Sequence, residues 1–266
     1  MPIDDDNDVD DKSAKPAEPP VTYKVGPFIA QGCFGNISEA IISPKNYRNR
    51  EWVVKRVDEF PNPRNVDEPA ITAKFNLTFK PDVQKYYSTW VTEKIPGVSL
   101  YPEALNELTF LETLEVMFEL AVRMNSMHHD HGRNKNDSAF VHCDLRPDNI
   151  LFSFNKKTRI SDVNFVDFGL AKNIPEDPNV LHKHDFIEKL DLNQSIFPKE
   201  MYEKKCGIKT DVFLIARLIN QCLATKKIPN TEYQVKVYLN YFLSRSLSKN
   251  YDERPDSDEF LKFFTT

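Results

Sequence analysis

Two short motifs in the second half of the chain carry residue types that suit metal-assisted chemistry on a hydroxyl group. The first, HCDLRPDN over residues 142–149, places Asp144 five residues before Asn149. The second, DFG, begins with Asp167, eighteen residues after Asn149. A carboxylate can accept the proton of an attacking hydroxyl, and carboxylate and amide oxygens are ligands for magnesium. These three side chains are therefore the first candidates for a catalytic base and a metal site.

The spacing of these motifs resembles the catalytic loop and the DFG turn of eukaryotic-type protein kinases. The resemblance implies that Asp144 is the catalytic base, and that Asn149 and Asp167 bind the Mg²⁺ ions that neutralise the phosphates of ATP. Arg146 occupies the position where serine/threonine kinases usually have lysine, and it would place positive charge near the transferred phosphate. Other phosphotransferases share HxDxxxxN alone, but its combination with DFG at this distance favours a kinase.

An upstream segment extends the resemblance to a phosphate-binding loop. Residues 30–35 read AQGCFG and match the kinase glycine-rich loop, except that Ala30 replaces the first glycine. Gly32 and Gly35 would let backbone amides approach the phosphates without an intervening side chain. Lys55 lies on the next predicted strand, where kinases keep the lysine that contacts the α- and β-phosphates.

The kinase resemblance also implies a carboxylate partner for this lysine and a hinge that holds adenine. Glu68 is the best candidate for the partner, although Pro69 places it at a helix start, where it could instead be exposed and only favour the helix N-terminus. The hinge resemblance makes Thr92 the gatekeeper, with the backbone of Glu93 and Ile95 bonding adenine. The end of an ordinary strand is the alternative.

Three downstream matches distinguish the chain from small-molecule phosphotransferases. The FPKE sequence that ends with Glu200 resembles the end of a kinase activation segment. Asp211 resembles the aspartate that supports the catalytic-loop backbone at the start of a central buried helix. Arg254 resembles the arginine of the last helices, and it would pair with Glu200.

The pattern of residues predicts an α+β, bilobal protein kinase-like fold. Residues 1–20 contain six aspartates and little to bury, and they are predicted to form a disordered acidic tail. Residues 21–95 read as strands broken by turns, which predicts a small antiparallel β-sheet N-lobe. Residues 96–266 form a mainly helical C-lobe, in which apolar residues at three- and four-residue steps from Leu111 to Met124 predict one buried helix face.

Two sequence features argue against control by activation-loop phosphorylation. Cys143 stands where most regulated kinases have an arginine that pairs with the phosphorylated loop, and cysteine cannot form that pair. The segment from Leu170 to Phe197 has no threonine or tyrosine, and Ser195 is its one hydroxyl side chain. The loop is therefore held by its own packing, or an activating partner or ligand orders it.

A run of lysines follows the activation segment. Its members are Lys199, Lys204, Lys205 and Lys209. They form either a solvated basic face or a site for an anionic group, such as an acidic or phosphorylated substrate or a polyphosphate ligand.

Composition limits the remaining partners. A net charge of −5 gives no sign of nucleic acid or membrane as a partner, and no apolar run is long enough for a membrane span. Without a secretory signal, a cytoplasmic location is expected, in the host cytoplasm if the protein is a delivered effector. The four cysteines are widely spaced without metal-ligand patterns, so free thiols are expected and structural zinc is not.

The sequence therefore predicts an ATP- and magnesium-dependent kinase that phosphorylates serine and threonine hydroxyls of a protein substrate. A pseudokinase that acts as a binding module is the first alternative, because Ala30 and Cys143 depart from the kinase pattern and the sequence does not fix the glutamate partner of Lys55. A kinase of a small molecule is the second.

Overall fold

The computed structural model describes residues 22–32, 35–43, 50–58, 68, 72, 82–83, 87–129, 139–155, 157–158, 160–174, 181–183, 197–227, 229 and 233–265. The predicted acidic tail over residues 1–20 lies outside the described residues. Most residues of the helix that was predicted to start at Glu68 and Pro69 also lie outside them.

The first part of the chain forms a five-stranded antiparallel sheet in the order β1-β2-β3-β5-β4. Its strands are β1 (Thr22–Gly32), β2 (Gly35–Ser43), β3 (Trp52–Asp58), β4 (Asp82–Val83) and β5 (Tyr87–Glu93). On β3, Lys55 lies between Ile37 of β2 and Trp90 of β5, so its backbone is held by ladders on both sides. Trp52, Val54 and other apolar side chains form a small separate core beneath this sheet.

Short strands and helices form the second part. The strands are β6 (Val98–Ser99), β7 (Phe140–Val141), β8 (Ile150–Asn155), β9 (Ile160–Phe165), β10 (Lys172–Asn173), β11 (His182–Lys183) and β12 (Lys205–Cys206). The helices are α1 (Phe110–His129), α2 (Lys199–Tyr202), α3 (Ile208–Ala224), α4 (Tyr233–Ser246) and α5 (Ser257–Thr265). β6, β8 and β9 form one sheet, and β7–β10 and β11–β12 are two-stranded pairs. An antiparallel sheet region followed by helices confirms the predicted α+β class.

The main core lies between α1, α3 and the β8–β9 hairpin. Val116, Leu120 and Met124 are fully buried along one face of α1. The predicted apolar face is wrong at its start, because Leu111 is 52% exposed. The buried face begins one residue earlier, at Phe110. α3 buries most of its circumference, and this central helix carries Asp211 at its start.

Candidate active site

A buried lysine joins two carboxylates from different parts of the chain. Lys55 Nζ lies 2.5 Å from Glu68 Oε1 and 2.5 Å from Asp167 Oδ1. Lys55 and Glu68 are almost fully buried, so the cluster is largely screened from water. One positive and two negative charges leave an excess of negative charge that suits a cation such as Mg²⁺.

Glu68 is the buried partner of Lys55 in the structure. It is therefore not an exposed residue that only favours a helix N-terminus, which was the alternative. Its backbone is helical, and Thr72 Oγ1 donates a hydrogen bond to its carbonyl oxygen at 2.8 Å. Burial opposes the charged form of Lys55, but the carboxylates of Glu68 and Asp167 outweigh burial and raise the pKa of Lys55. Burial likewise opposes the charged form of Asp167, and Lys55 outweighs it to lower the pKa of Asp167.

Asp144 is held in place by the amide five residues further along the chain. Asn149 Nδ2 donates to the backbone oxygen and to Oδ2 of Asp144, each at 2.8 Å. The other carboxylate oxygen, Oδ1, accepts no hydrogen bond from the described residues and lies 3.7 Å from Arg146 Nε. Burial raises the pKa of Asp144 to about 7, although Arg146 opposes this shift. Oδ1 is therefore the carboxylate oxygen to which no described group donates a hydrogen bond, although it is buried beside the Arg146 guanidinium.

Asp211 holds the backbone just before the candidate base. Its Oδ2 accepts from the amide of His142 at 2.7 Å, and its Oδ1 accepts from the amide of Cys143 at 2.8 Å. His128 Nε2 lies 3.1 Å from the same Oδ2 atom. All four residues are fully buried. The catalytic loop is thus fixed to the first turn of α3.

The DFG turn is tied to the catalytic loop by the backbone. Val166 N donates to the carbonyl oxygen of Asn149 at 3.0 Å, which places the two predicted metal ligands on adjoining segments. Asp167 has left-handed backbone angles, φ 60° and ψ 70°, and aspartate is among the residue types that adopt them most readily. Phe168 is buried with its ring centroid 5.1 Å from that of His142. Packing behind Asp167 therefore directs its carboxylate towards Lys55.

Asn149 and Asp167 are the residues that would hold Mg²⁺. The oxygen-rich donor set and the surplus of buried negative charge fit that ion. Among the residues that the structure describes, no group of three or more His, Cys, Asp or Glu side chains is arranged to hold a metal ion.

The predicted phosphate loop and hinge lie at the ends of the sheet strands. Gly32 and Gly35 pair across the tip of the β1–β2 hairpin. Gly35 has φ 156°, and a Cβ there would overlap the carbonyl oxygen of Arg56, so close packing against β3 requires glycine. Thr92 is buried on β5, Glu93 ends that strand, and Ile95 follows it half-buried.

A buried ion pair braces the region beyond the activation segment. Arg254 donates to both carboxylate oxygens of Glu200, at 2.6 and 3.1 Å, and neither residue is appreciably exposed. Thr210 Oγ1 also donates to Glu200, at 3.0 Å. The pairing of Glu200 with Arg254 that the resemblance implied is present.

Sequence reasoning missed two features near the base. Cys143 and Cys206 form a disulfide, so the expectation of free thiols is wrong for these two, while Cys222 is free and buried and Cys33 lies outside the described residues. The cause is tertiary contact between segments 63 residues apart, which no spacing pattern signals. Sequence reasoning also missed a cavity of about 410 Å³ beside Arg146.

The cavity borders the catalytic loop and α3. Its apolar wall includes Leu145, Phe197 and Leu214, and Arg146 and Arg217 add positive charge. It is large enough for a side chain or a small organic molecule next to Arg146.

The predicted basic run is partly neutralised. Lys199 and Lys205 lie 3.7 and 3.2 Å from Glu203, and Lys209 donates to a backbone oxygen of Asp252 at 3.1 Å. These contacts are those of a solvated face, and a bound anion remains a prediction.

The described part of the chain has no helix of the length and apolarity that crossing a membrane requires.

Comparisons with known proteins relate the chain to kinase-like proteins. A model of the ecdysteroid kinase-like family matches residues 42–175, which is half of the chain. The serine/threonine-protein kinase ppk21 of Schizosaccharomyces pombe is 28% identical over 180 residues, covering 63% of this chain and 30% of that protein. The probable serine/threonine-protein kinase nek2 of Dictyostelium discoideum is 24% identical over 182 residues, covering 62% of this chain and 40% of that protein. The chain spans less than half the length of these curated relatives.

Proposed function

The chain belongs to the ecdysteroid kinase-like family, and from this premise we propose that it is an ATP- and magnesium-dependent phosphotransferase that phosphorylates serine and threonine hydroxyls of a protein. The observation that carries the proposal is the buried Lys55–Glu68–Asp167 cluster beside Asp144. Phosphoryl transfer needs little covalent help from a protein, so catalysis rests on positioning and on stabilising charge, which this cluster can provide.

Each side chain has a distinct task in this proposal. Glu68 keeps the Lys55 ammonium oriented towards the α- and β-phosphates of ATP. Asn149 and Asp167 hold Mg²⁺, which when bound neutralises the phosphate oxygens. Arg146 adds positive charge on the acceptor side.

Asp144 orients the acceptor hydroxyl and accepts its proton. Its Oδ2 atom accepts a hydrogen bond from Asn149, which leaves Oδ1, 3.7 Å from Arg146 Nε, as the oxygen for the acceptor hydroxyl. A pKa of about 7 leaves a large fraction of the carboxylate deprotonated near neutral pH, and it makes that carboxylate a stronger base than an exposed aspartate.

The protein acceptor is supported by the downstream elements. The Glu200–Arg254 pair, which the kinase resemblance implied, is buried and ties the end of the activation segment to the residues just before the last helix. Both curated relatives are named as serine/threonine-protein kinases.

A small-molecule acceptor is the second candidate. The family name refers to an ecdysteroid kinase, and the 410 Å³ cavity beside Arg146 could hold a compact hydroxylated compound. Apolar Leu145, Phe197 and Leu214 would contact its body.

The experiment that decides between them is transfer of labelled γ-phosphate from ATP to two panels, one of serine- and threonine-containing proteins and peptides, the other of hydroxylated small molecules including steroids. We expect labelled serine or threonine in the first panel. Turnover in the second panel alone would move the assignment to a small-molecule kinase. Nucleotide binding without transfer to either panel would instead support a pseudokinase.

A further inference from the structure

A covalent bond links the catalytic loop to the strand that follows the activation segment. Cys143 is the residue directly before Asp144, and its Sγ is bonded to that of Cys206 on β12. The two Cα atoms are 6.1 Å apart, and 63 residues separate the cysteines along the chain. Both side chains are buried, at 0% and 1% exposure.

Both ends of this bond are also held by hydrogen bonds to the first turn of α3. On one side, the Cys143 amide donates to Asp211, which fixes the catalytic loop to α3 whether or not the disulfide is present. On the other side, the Gly207 amide donates to Thr210 Oγ1, which in turn bonds Glu200. The disulfide therefore adds a covalent link to the hydrogen bonds that join the base loop and the braced region around Glu200 through Thr210 and Asp211.

Cys206 also connects to the activation segment. It pairs with His182 in the two-residue β11–β12 ribbon, and Lys172 Nζ, just beyond the DFG turn, donates to the carbonyl oxygen of Lys183 at 2.6 Å. Releasing Cys206 from Cys143 would leave this ribbon held to the catalytic loop by weaker contacts. No threonine or tyrosine between residues 170 and 197 offers an alternative phosphorylated anchor.

We propose that Cys143 and Cys206 are a reversible thiol–disulfide site, and that the disulfide holds the acceptor side of the active site in its working position. The oxidised protein is the more active form, and reduction by a dithiol lowers transfer to the acceptor. The effect on transfer rests on the proposed phosphotransferase function, whereas the bond and its structural effect do not.

The exchange is a two-electron step. A thiolate of the dithiol attacks Cys206 Sγ, the S–S bond breaks, and Cys143 leaves as a thiolate that takes up a proton. The second thiol of the reagent then attacks the mixed disulfide, releases the Cys206 thiol and closes the reagent's own disulfide. Re-oxidation by a small-molecule disulfide reverses both steps and yields two reagent thiols.

Burial makes this exchange slow and selective. Neither sulfur is accessible in the closed structure, so the β11–β12 ribbon must open before a reagent can reach Cys206. Because the ribbon pairs over only two residues, its opening requires much less than global unfolding.

The test begins with the full chain held in glutathione disulfide or in dithiothreitol, alkylated and digested for mass spectrometry. We expect peptides with Cys143 and Cys206 to be linked under oxidising conditions and alkylated under native reducing conditions. On reduction, kcat/KM for the acceptor should fall at least tenfold, while the Kd for ATP should change less than twofold because the Lys55 cluster lies outside the linked region.

Variants make the assignment specific. The double variant Cys143→Ser, Cys206→Ser should match the reduced wild type and no longer respond to the reductant. Cys222→Ser is the matched control, since Cys222 is buried but free, and it should keep the full response.

Hydrogen exchange separates failure of this proposal from failure of the proposed function. If no transfer is found in any state, slower amide exchange over residues 199–206 in the oxidised protein would still support the link. Free Cys143 and Cys206 under oxidising conditions, a disulfide that resists dithiothreitol in the native protein, or equal kcat/KM after verified reduction would each overturn the proposal.

Discussion

Replacing Arg254 by leucine should destabilise the protein far more than removing an exposed ion pair. The guanidinium of Arg254 is fully buried and donates to both oxygens of Glu200 and to the carbonyl oxygen of Ser248 at 2.8 Å. It also lies 4.7 Å from the centroid of the Phe213 ring. Arg254→Leu removes these contacts at once and leaves a buried carboxylate.

The expected magnitude follows from that uncompensated charge. Breaking a buried ion pair by removing one partner typically costs about 3–5 kcal/mol. For a domain of this size, 1 kcal/mol corresponds to a shift in Tm of about 2–4 °C, so Tm should fall by about 6–20 °C.

The matched control is Arg245→Leu. Arg245 pairs with Glu259 at 3.2 Å, but its side chain is 45% exposed. Such pairs contribute about 0.2–1 kcal/mol, so Tm should fall by at most about 4 °C. Thermal unfolding followed by circular dichroism measures both variants. Equal shifts for Arg254→Leu and Arg245→Leu would refute the claim that the Glu200–Arg254 pair is a buried brace.

Two further predictions concern Asp144. Burial raises the pKa of Asp144 to about 7, and a base must be deprotonated to act. We therefore expect kcat/KM to fall about tenfold per pH unit below pH 7. A pH–rate profile that stays flat down to pH 5 would contradict this. Because the folded protein binds that proton more tightly than the unfolded chain does, the carboxylate lowers stability as pH rises from about 4 to about 7. Asp144→Asn should therefore abolish transfer yet raise Tm more at pH 8 than at pH 5, and differential scanning fluorimetry at the two pH values would test it.

Local sequence was sufficient for the strands and for the order of the motifs. Gly32 and Gly35 flank a hairpin tip, and Lys55 follows on a strand whose apolar residues Val53, Val54 and Val57 are visible without a structure. The α+β class follows from the change of periodicity near residue 96.

Contacts between distant segments were beyond this reasoning. The sequence makes Glu68 the best candidate for the partner of Lys55, but Pro69 keeps an exposed Glu68 as the alternative. Only the tertiary fold buries that carboxylate. The Cys143–Cys206 bond joins positions that share no motif. The predicted buried face of α1 differs from the observed one at its start, because apolar residues such as Leu111 also occur on exposed faces.

The most direct test of the central claim is transfer of labelled γ-phosphate from ATP with Mg²⁺, to the protein itself and to generic protein acceptors. Wild type would be compared with Asp167→Asn and with Asp162→Asn, a control that removes an exposed carboxylate of β9. If the site is as described here, wild type and the Asp162→Asn variant should both label acceptors. The Asp167→Asn variant should label them at least about a hundredfold more slowly. Equal labelling by Asp167→Asn, or no labelling by a wild type that binds ATP, would contradict the account.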